Sequence, residues 1–401
     1  MTVRGIDQSA RLRVLLQVLV LTKLPFVLYR LPHEQPRLLL MPQGQPSSYQ
    51  SLSELDASSG FVMAPFTLEG KDPIVLWPQA QCVAASGWDE IDALLSEIDQ
   101  PVYRCNVRAA DEVPCPLPQA KIVTLAQGQY QQDFAGFSAA LRQGSYQKLV
   151  LSSYFEQEIA RCFIWDNFMR ACAVKPELMV ALVQAPQVGT WFVATPEVLL
   201  RTVPGTSARL HTMALAGTMP YSADNMELAA WSPKDRVEQE VVTSYLTAIL
   251  AQLGSYEAHG PYPVKAGSVV HLRTDLTFEL PTEQGLSELL AALHPTPAVC
   301  GLPKALAQQF IAQHESYERS YYTGFLGEIK CHTGACSRTN LFVNLRTIEF
   351  LQTHWYWGPW RFRSYVGGGL LPASTFESEY AEICVKNRSV LSNLKPEFWT
   401  Q

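Results

Sequence analysis

The run Tyr365–Lys386, YVGGGLLPASTFESEYAEICVK, limits the possible folds more than any other stretch. An apolar segment leads into three glycines, Gly367, Gly368 and Gly369, and a helix start follows. Ser374 with Glu377 three residues on reads as a capping box, each side chain satisfying an end-of-helix backbone donor. On that helix Glu379, Glu382, Ile383, Lys386 and Val390 share one face. A solvated face has no need of Ile383 and Val390, and an ordinary core face does not admit Glu379 and Glu382. The plain explanation is a helix edge with a surface ion pair. The chemical one is a helix that points acidic ligands at a cation and a basic group at an anion.

The 401 residues are 47% apolar, enough for one large domain or two to three ordinary ones. Charged residues make up only 17%, with a net charge of -6, which argues against a nucleic-acid surface. The nine cysteines include no CxxC pair, and the nearest two, Cys331 and Cys336, have no structural-zinc spacing around them. Reduced, mostly buried thiols and a cytoplasmic protein are expected. Val14–Leu28 is apolar but interrupted by Lys23 and Pro25, so neither a membrane span nor a signal peptide is expected.

Along the chain, FVLYRLP (Phe26–Pro32), RLLLMP (Arg37–Pro42) and GFVMAPF (Gly60–Phe66) read as strands, and Ser47–Gly60 as a polar connector. Gln131–Gln143 reads as an amphipathic helix closed by Gly144. In the strand Gln147–Phe155, period two puts Lys148, Val150, Ser152 and Tyr154 on one side, against Leu149, Leu151 and Phe155. A lysine opening so apolar a strand is usually a snorkelling edge residue. Glu197 falls in a turn between TWFVA and VLLRTV. The strand LHTMALAGTMP is expected to end at Gly217 and Thr218, where glycine permits close backbone approach.

The clearest helix is Ser232–Leu253: Ser232 caps it, Pro233 takes its first position, Asp235 completes the cap, and Gly254 ends it. Glu238 falls in the middle of its apolar stripe (Val241, Val242, Tyr245, Leu246, Ile249), where a carboxylate must be paired, protonated or metal-bound. Ser268–Leu280 reads as a strand around His271, and Asn340–Phe350 as a strand with Phe342, Asn344 and Arg346 on one side. Lys148, Glu197, Glu238, Arg346, Glu379, Glu382 and Lys386 are thus charges in half-apolar settings, in a chain with few charges. One polar pocket explains them better than seven accidents. Carboxylates on two helices suit Mg2+, and a basic strand residue with glycine amides suits a carboxylate-bearing ligand.

These pieces resemble a known family. KLVLS, TPEVLL, LAGT, KDRVEQEVV, VVHL, HPTPAVCG, the E-x-x-E-R run Glu315–Arg319, FVNLR and GGG…PAS…E-x-x-E…K follow, over roughly residues 145–390, the order found in the chorismate-utilising enzymes. Among these, the chain resembles the isochorismate synthases of menaquinone and siderophore pathways. The resemblance implies an α+β fold: one large domain of two pseudo-repeated halves, with stacked, mostly antiparallel sheets surrounded by helices. Residues 131–401 would form the chorismate-binding catalytic region, with the weakly matched residues 1–130 as the N-terminal part.

The implied reaction adds water at C2 of chorismate while the C4 hydroxyl leaves. Lys148 matches the lysine that activates the water, and Glu197 the acid that protonates the departing hydroxyl. Glu238 and Glu382 match Mg2+ ligands, with Glu379 helping. Arg346, the backbone at Gly367, and Lys386 match groups that hold the substrate's carboxylates; Gly217, Thr218 and His271 match further substrate contacts. Neither nucleic acid nor membrane is an implied partner, and a monomer or weak homo-oligomer is expected.

Two positions depart from the family: Ser153 stands where arginine is common, and Gln239 where histidine is. Anthranilate synthases commonly carry glutamine at the position of Lys148, and aminodeoxychorismate synthases a nucleophilic lysine at that of Ala216. Both differences favour water as nucleophile. A salicylate synthase, or a non-catalytic chorismate-binding relative, is the alternative.

Overall fold

The structure, a computed structural model, describes residues 12, 16, 19, 20, 23–97, 121–124, 127–159, 164–206, 209–266, 269–281, 285–333, 336–352 and 360–392. Part of the apolar segment Val14–Leu28, and Ser268, lie outside the described residues.

The apolar runs pair into two antiparallel sheets. The first runs, in hydrogen-bonded order, Gly301–Leu302, Lys148–Ile159, Trp360–Leu370, Thr347–Gln352, Gly189–Thr195, Met179–Ala185, Phe26–Arg30, Arg37–Leu40 and Val83–Ser86, and Lys121–Thr124 also pairs with Lys148–Ile159. The second runs Tyr256–Ala266, Val269–Glu279, Arg209–Pro220, Val198–Thr202, Cys336–Val343, Phe325–Thr333, Gly60–Ala64, Ile74–Pro78 and Ser47–Tyr49. Alternation along each strand gives each sheet two apolar faces, and both are covered. Between the sheets, Val27, Met179 and Trp191 of the first meet Phe61, Met213 and Leu326 of the second. Outside the first sheet, Leu149, Leu151 and Leu370 pack under helices Gln127–Arg142, Ile164–Val174, Lys304–His314 and Phe376–Leu391. Outside the second, Ala214, Ala216 and Leu276 pack under helices Pro233–Leu253 and Leu286–Leu293. The result is an α+β sandwich of helices, sheet, sheet and helices, as expected. No helix among the described residues is long and apolar enough to cross a membrane.

Several local expectations need correction. The connector Ser47–Gly60 contains the strand Ser47–Tyr49 and a 3-10 turn, Leu52–Ala57, with a Ser51/Glu54 capping box. Fully buried Leu55 ties that turn to the core, a pull that polar composition hides. The strand Arg209–Pro220 does not stop at Gly217; it bulges there, with Gly217 at φ +68°, and continues. Asn340–Phe350 is two strands in different sheets, broken at 344–346, with Arg346 itself at φ +52°. The last helix starts after Thr375, and Ser374 instead accepts from the Leu371 backbone N–H, so the Ser374/Glu377 box does not form. On the helix Pro233–Leu253 the buried line is Gln239, Val242, Leu246 and Leu250; Glu238 lies beside it rather than at its centre.

Candidate active site

Among the described strands the chain passes between the sheets six times, and two of the short passages carry a predicted site residue. Pro196 and Glu197 link Gly189–Thr195 in the first sheet to Val198–Thr202 in the second. Residues 344–346 lead back from Cys336–Val343 to Thr347–Gln352. The two passages are stitched together: Val343 N–H donates to Glu197 O at 2.9 Å, and Thr195 Oγ1 donates to Val343 O at 2.7 Å. Glu197 and Arg346 are thereby held at the wall of one cleft, which encloses about 700 Å³ with its open mouth included.

Eight of the predicted residues line this cleft: Glu197, Gly217, Thr218, Glu238, His271, Arg346, Gly367 and Lys386. Lys148 lies just behind, fully buried, and its Nζ donates to Glu238 Oε1 at 2.9 Å. The glycines explain how that pair fits. Gly369 stands opposite Val150 in the ladder, and a Cβ on it would come within 2.3 Å of Glu238 Oε1 and 2.7 Å of Lys148 Cε. The strand bearing Lys148 is fixed from behind by a buried ion pair: Glu315 Oε1 accepts from Ser152 N and Oγ, while Arg319 donates to Val150 O.

The electrostatics set the two cleft carboxyls apart. Burial pushes the Glu197 carboxyl up to about 8, although Lys148, Lys386 and Arg346 pull the other way, so it keeps its proton at neutral pH. Burial also acts on Glu238, but Lys148, Lys386 and Lys234 outweigh it and hold that carboxyl below its ordinary value. Arg346 Nη2 donates to His271 Nε2 at 2.9 Å, so the ring proton sits on Nδ1 and is donated to Gly217 O at 3.0 Å. Burial, with Arg346 and Lys386 nearby, lowers the His271 pKa to about 3 and keeps the ring neutral. Lys386 Nζ donates to Gly367 O at 2.9 Å and pairs with Glu382 at 2.7 Å.

Among the described residues, no three His, Cys, Asp or Glu side chains form a ready-made metal cage. The three predicted ligands are each held by a lysine: Glu238 by Lys148, Glu379 by Lys234 and Glu382 by Lys386. The donor chemistry nonetheless fits a hard divalent cation. Glu379 Oε2 is buried without a hydrogen-bond partner, and it lies 3.6 Å, with Glu382 Oε1 at 3.9 Å, from the place a Cβ on Gly368 would take. A cation that keeps several waters needs no closed protein cage.

A sequence model of chorismate binding enzymes matches residues 81–392. The chain belongs to the chorismate-binding enzyme family. It is 33% identical over 201 residues to the salicylate biosynthesis isochorismate synthase of Pseudomonas aeruginosa, covering 48% of this chain and 39% of that protein. It is 33% identical over 208 residues to isochorismate synthase DhbC of Bacillus subtilis, covering 49% and 48%. The aligned region thus spans about half or less of these relatives' length. In fold, the chain is similar to a Bacillus anthracis protein described as a 2,3-dihydroxybenzoate-specific isochorismate synthase, DhbC, with TM-score 0.71, 20% identity, and 94% and 99% of the two chains covered. It is also similar to Escherichia coli MenF, described as the menaquinone-specific isochorismate synthase, with TM-score 0.68, 19% identity, and 92% and 89% covered.

Within this chorismate-binding enzyme, sequence reasoning missed two contributors. Lys234 neutralises buried Glu379, and its place four residues before Glu238 on one helix face was the available signal. Gln239 was read only as a departure, yet it is 2% exposed and fully engaged in hydrogen bonds. Buried Ser153 has no structural explanation as the other departure.

Proposed function

We propose that this protein is an isochorismate synthase, converting chorismate to isochorismate with Mg2+. The observation that carries the reading is a carboxylic acid kept protonated at neutral pH, Glu197, sharing a cleft with Glu238, which holds Lys148. Lys148 takes a proton from water as the new C–O bond forms at C2. The ring double bonds shift, the C4–O bond breaks, and Glu197 gives its proton to the departing hydroxyl. Arg346 and Lys386 hold the substrate's carboxylates, with the backbone at Gly367, while Gly217, Thr218 and His271 shape the ring end. Glu238 and Glu382, with Glu379, would hold the cation. When bound, such a cation would supply positive charge to the ring carboxylate. Residues 131–401 would supply every one of these groups, and the strands between Phe26 and Thr124 extend the two sheets.

The test is purified protein with chorismate and Mg2+, followed by chromatography. Isochorismate is the expected product. Salicylate with pyruvate would make the protein a salicylate synthase, and no turnover would make it a non-catalytic chorismate binder.

A further inference from the structure

The helix that carries Glu238 is joined to the cleft wall by one side chain. Gln239 Oε1 accepts from Ala216 N–H at 2.9 Å, and its Nε2 donates to Ala214 O at 3.2 Å and Thr274 Oγ1 at 3.1 Å. Ala214 and Ala216 are two apart on a strand, so their backbone groups point the same way, and a carboxamide is the side chain that answers a donor and an acceptor together. The next residue is Gly217, where the strand bulges; its carbonyl accepts from His271, whose other nitrogen meets Arg346. A Cβ on Gly217 would lie 3.1 Å from Asp235 O, so helix and bulge are in tight register.

We infer that Gln239 is a positioning residue: its carboxamide clamps the Ala214–Ala216 backbone to the helix and so sets the separation between Glu238 and the Gly217–Thr218 wall. The inference rests on the isochorismate synthase reading for its kinetic consequence, not for its geometry. A carboxylate at 239 keeps the acceptor for Ala216 N–H but sets a lone pair against Ala214 O. An aliphatic residue of similar size leaves both backbone groups without it.

The test compares Gln239→Leu and Gln239→Glu with Val242→Ala, a core truncation one turn along the same helix. Two measurements are made on the full chain: amide hydrogen exchange of Ala216, and steady-state kinetics with chorismate and Mg2+. Gln239→Leu should speed Ala216 exchange at least tenfold and raise the half-saturating concentrations of both chorismate and Mg2+ at least fivefold, more than it lowers kcat. Gln239→Glu should retain part of the Ala216 protection, and Val242→Ala should change neither that amide nor the half-saturating concentrations beyond twofold. Ala216 exchange unchanged in Gln239→Leu, or the same changes in Val242→Ala, overturns the inference. An inactive wild type would sink the isochorismate synthase reading while the exchange comparison still decides the clamp.

Discussion

Gly369 offers a sharp test of the site, because two adjacent glycines make opposite demands. Glu238 Oε1 would lie 2.3 Å from a Cβ on Gly369, against the 3.4 Å of ordinary contact, so Gly369→Ala must drive the Lys148–Glu238 pair away by about 1 Å. Both atoms end flexible side chains, and Gly369 lies outside the left-handed region, so the backbone accepts alanine. The fold is therefore expected to survive, helped by the ~0.4–1 kcal/mol that a compatible Gly→Ala change removes from unfolded-chain entropy. Chemistry is not: a ~1 Å misplacement of reacting groups costs roughly 100-fold, or about 2.7 kcal/mol of transition-state stabilisation. At Gly368 the same change meets only Glu379 Oε2 at 3.6 Å and Glu382 Oε1 at 3.9 Å, so it leaves Lys148 and Glu238 in place and should act on the half-saturating Mg2+ concentration, with turnover at saturating Mg2+ within about threefold. Chorismate turnover with Mg2+, read by chromatography beside a thermal melt, gives both quantities. A folded Gly369→Ala protein as active as Gly368→Ala would refute the placement of Lys148 and Glu238 at the reacting centre.

The remaining predictions concern single side chains. With Glu197 titrating at about 8, kcat/KM should fall as pH rises beyond that value and the acid loses its proton. Its folded pKa is raised, so its ionisation opposes folding: stability is full below the ordinary glutamate value and declines as pH climbs towards about 8. Glu197→Gln should flatten that decline in urea midpoints while removing most activity; an unchanged slope would refute the raised pKa. Glu238→Gln should shift the Mg2+ titration of activity at least tenfold, and an unchanged titration would remove its ligand role. Arg319→Met leaves Glu315 uncompensated in a pair whose side chains are each 1% exposed, and should cost ~3–5 kcal/mol in urea unfolding; a loss under 1 kcal/mol would show that the pair does not brace the Lys148 strand.

How much of this was legible in the sequence depended on the kind of signal. Lys148, Arg346 and Glu238 were visible as charges in apolar surroundings, because a buried charge is rare enough to need a reason. The strands and the helix Pro233–Leu253 followed from period and capping. Where each charge would end was not legible. The turn at Glu197 gives no sign that the chain is changing sheets, yet that passage is what buries its carboxyl. FVNLRTIEF reads as one strand-like run through the break at Arg346, since the strands on both sides of it are largely buried and only their partner strands differ. The Ser374/Glu377 pattern satisfied a local rule but lost to the Leu371–Ser374 turn. Gln239 was read only as a departure and its role was not legible, because a glutamine's value lies in the backbone groups it meets, and those belong to a strand some 23 residues away.

The charges of the assembled site explain why an anionic ligand belongs there. Each of the three carboxylates expected to bind metal is matched by one lysine. Glu197 is neutral through its own burial. Arg346 is different: its guanidinium meets Ala266 O, Ser389 Oγ and the neutral ring of His271, and among the described residues it forms no ion pair. Desolvation lowers its pKa to about 10, which still leaves it charged. A recessed guanidinium facing neutral acceptors is costly to maintain, and a carboxylate entering the cleft would relieve that cost while gaining a planar two-pronged partner. His271 sharpens the arrangement, because its Nε2 spends its lone pair on Arg346 and so fixes the direction in which the remaining N–H groups point. Among the described residues of this site, Arg346 is thus a cation without an acidic counterpart, beside an acid that has kept its proton, which is the asymmetry that the proposed reaction, binding a carboxylate and expelling a hydroxyl from one small ring, would use.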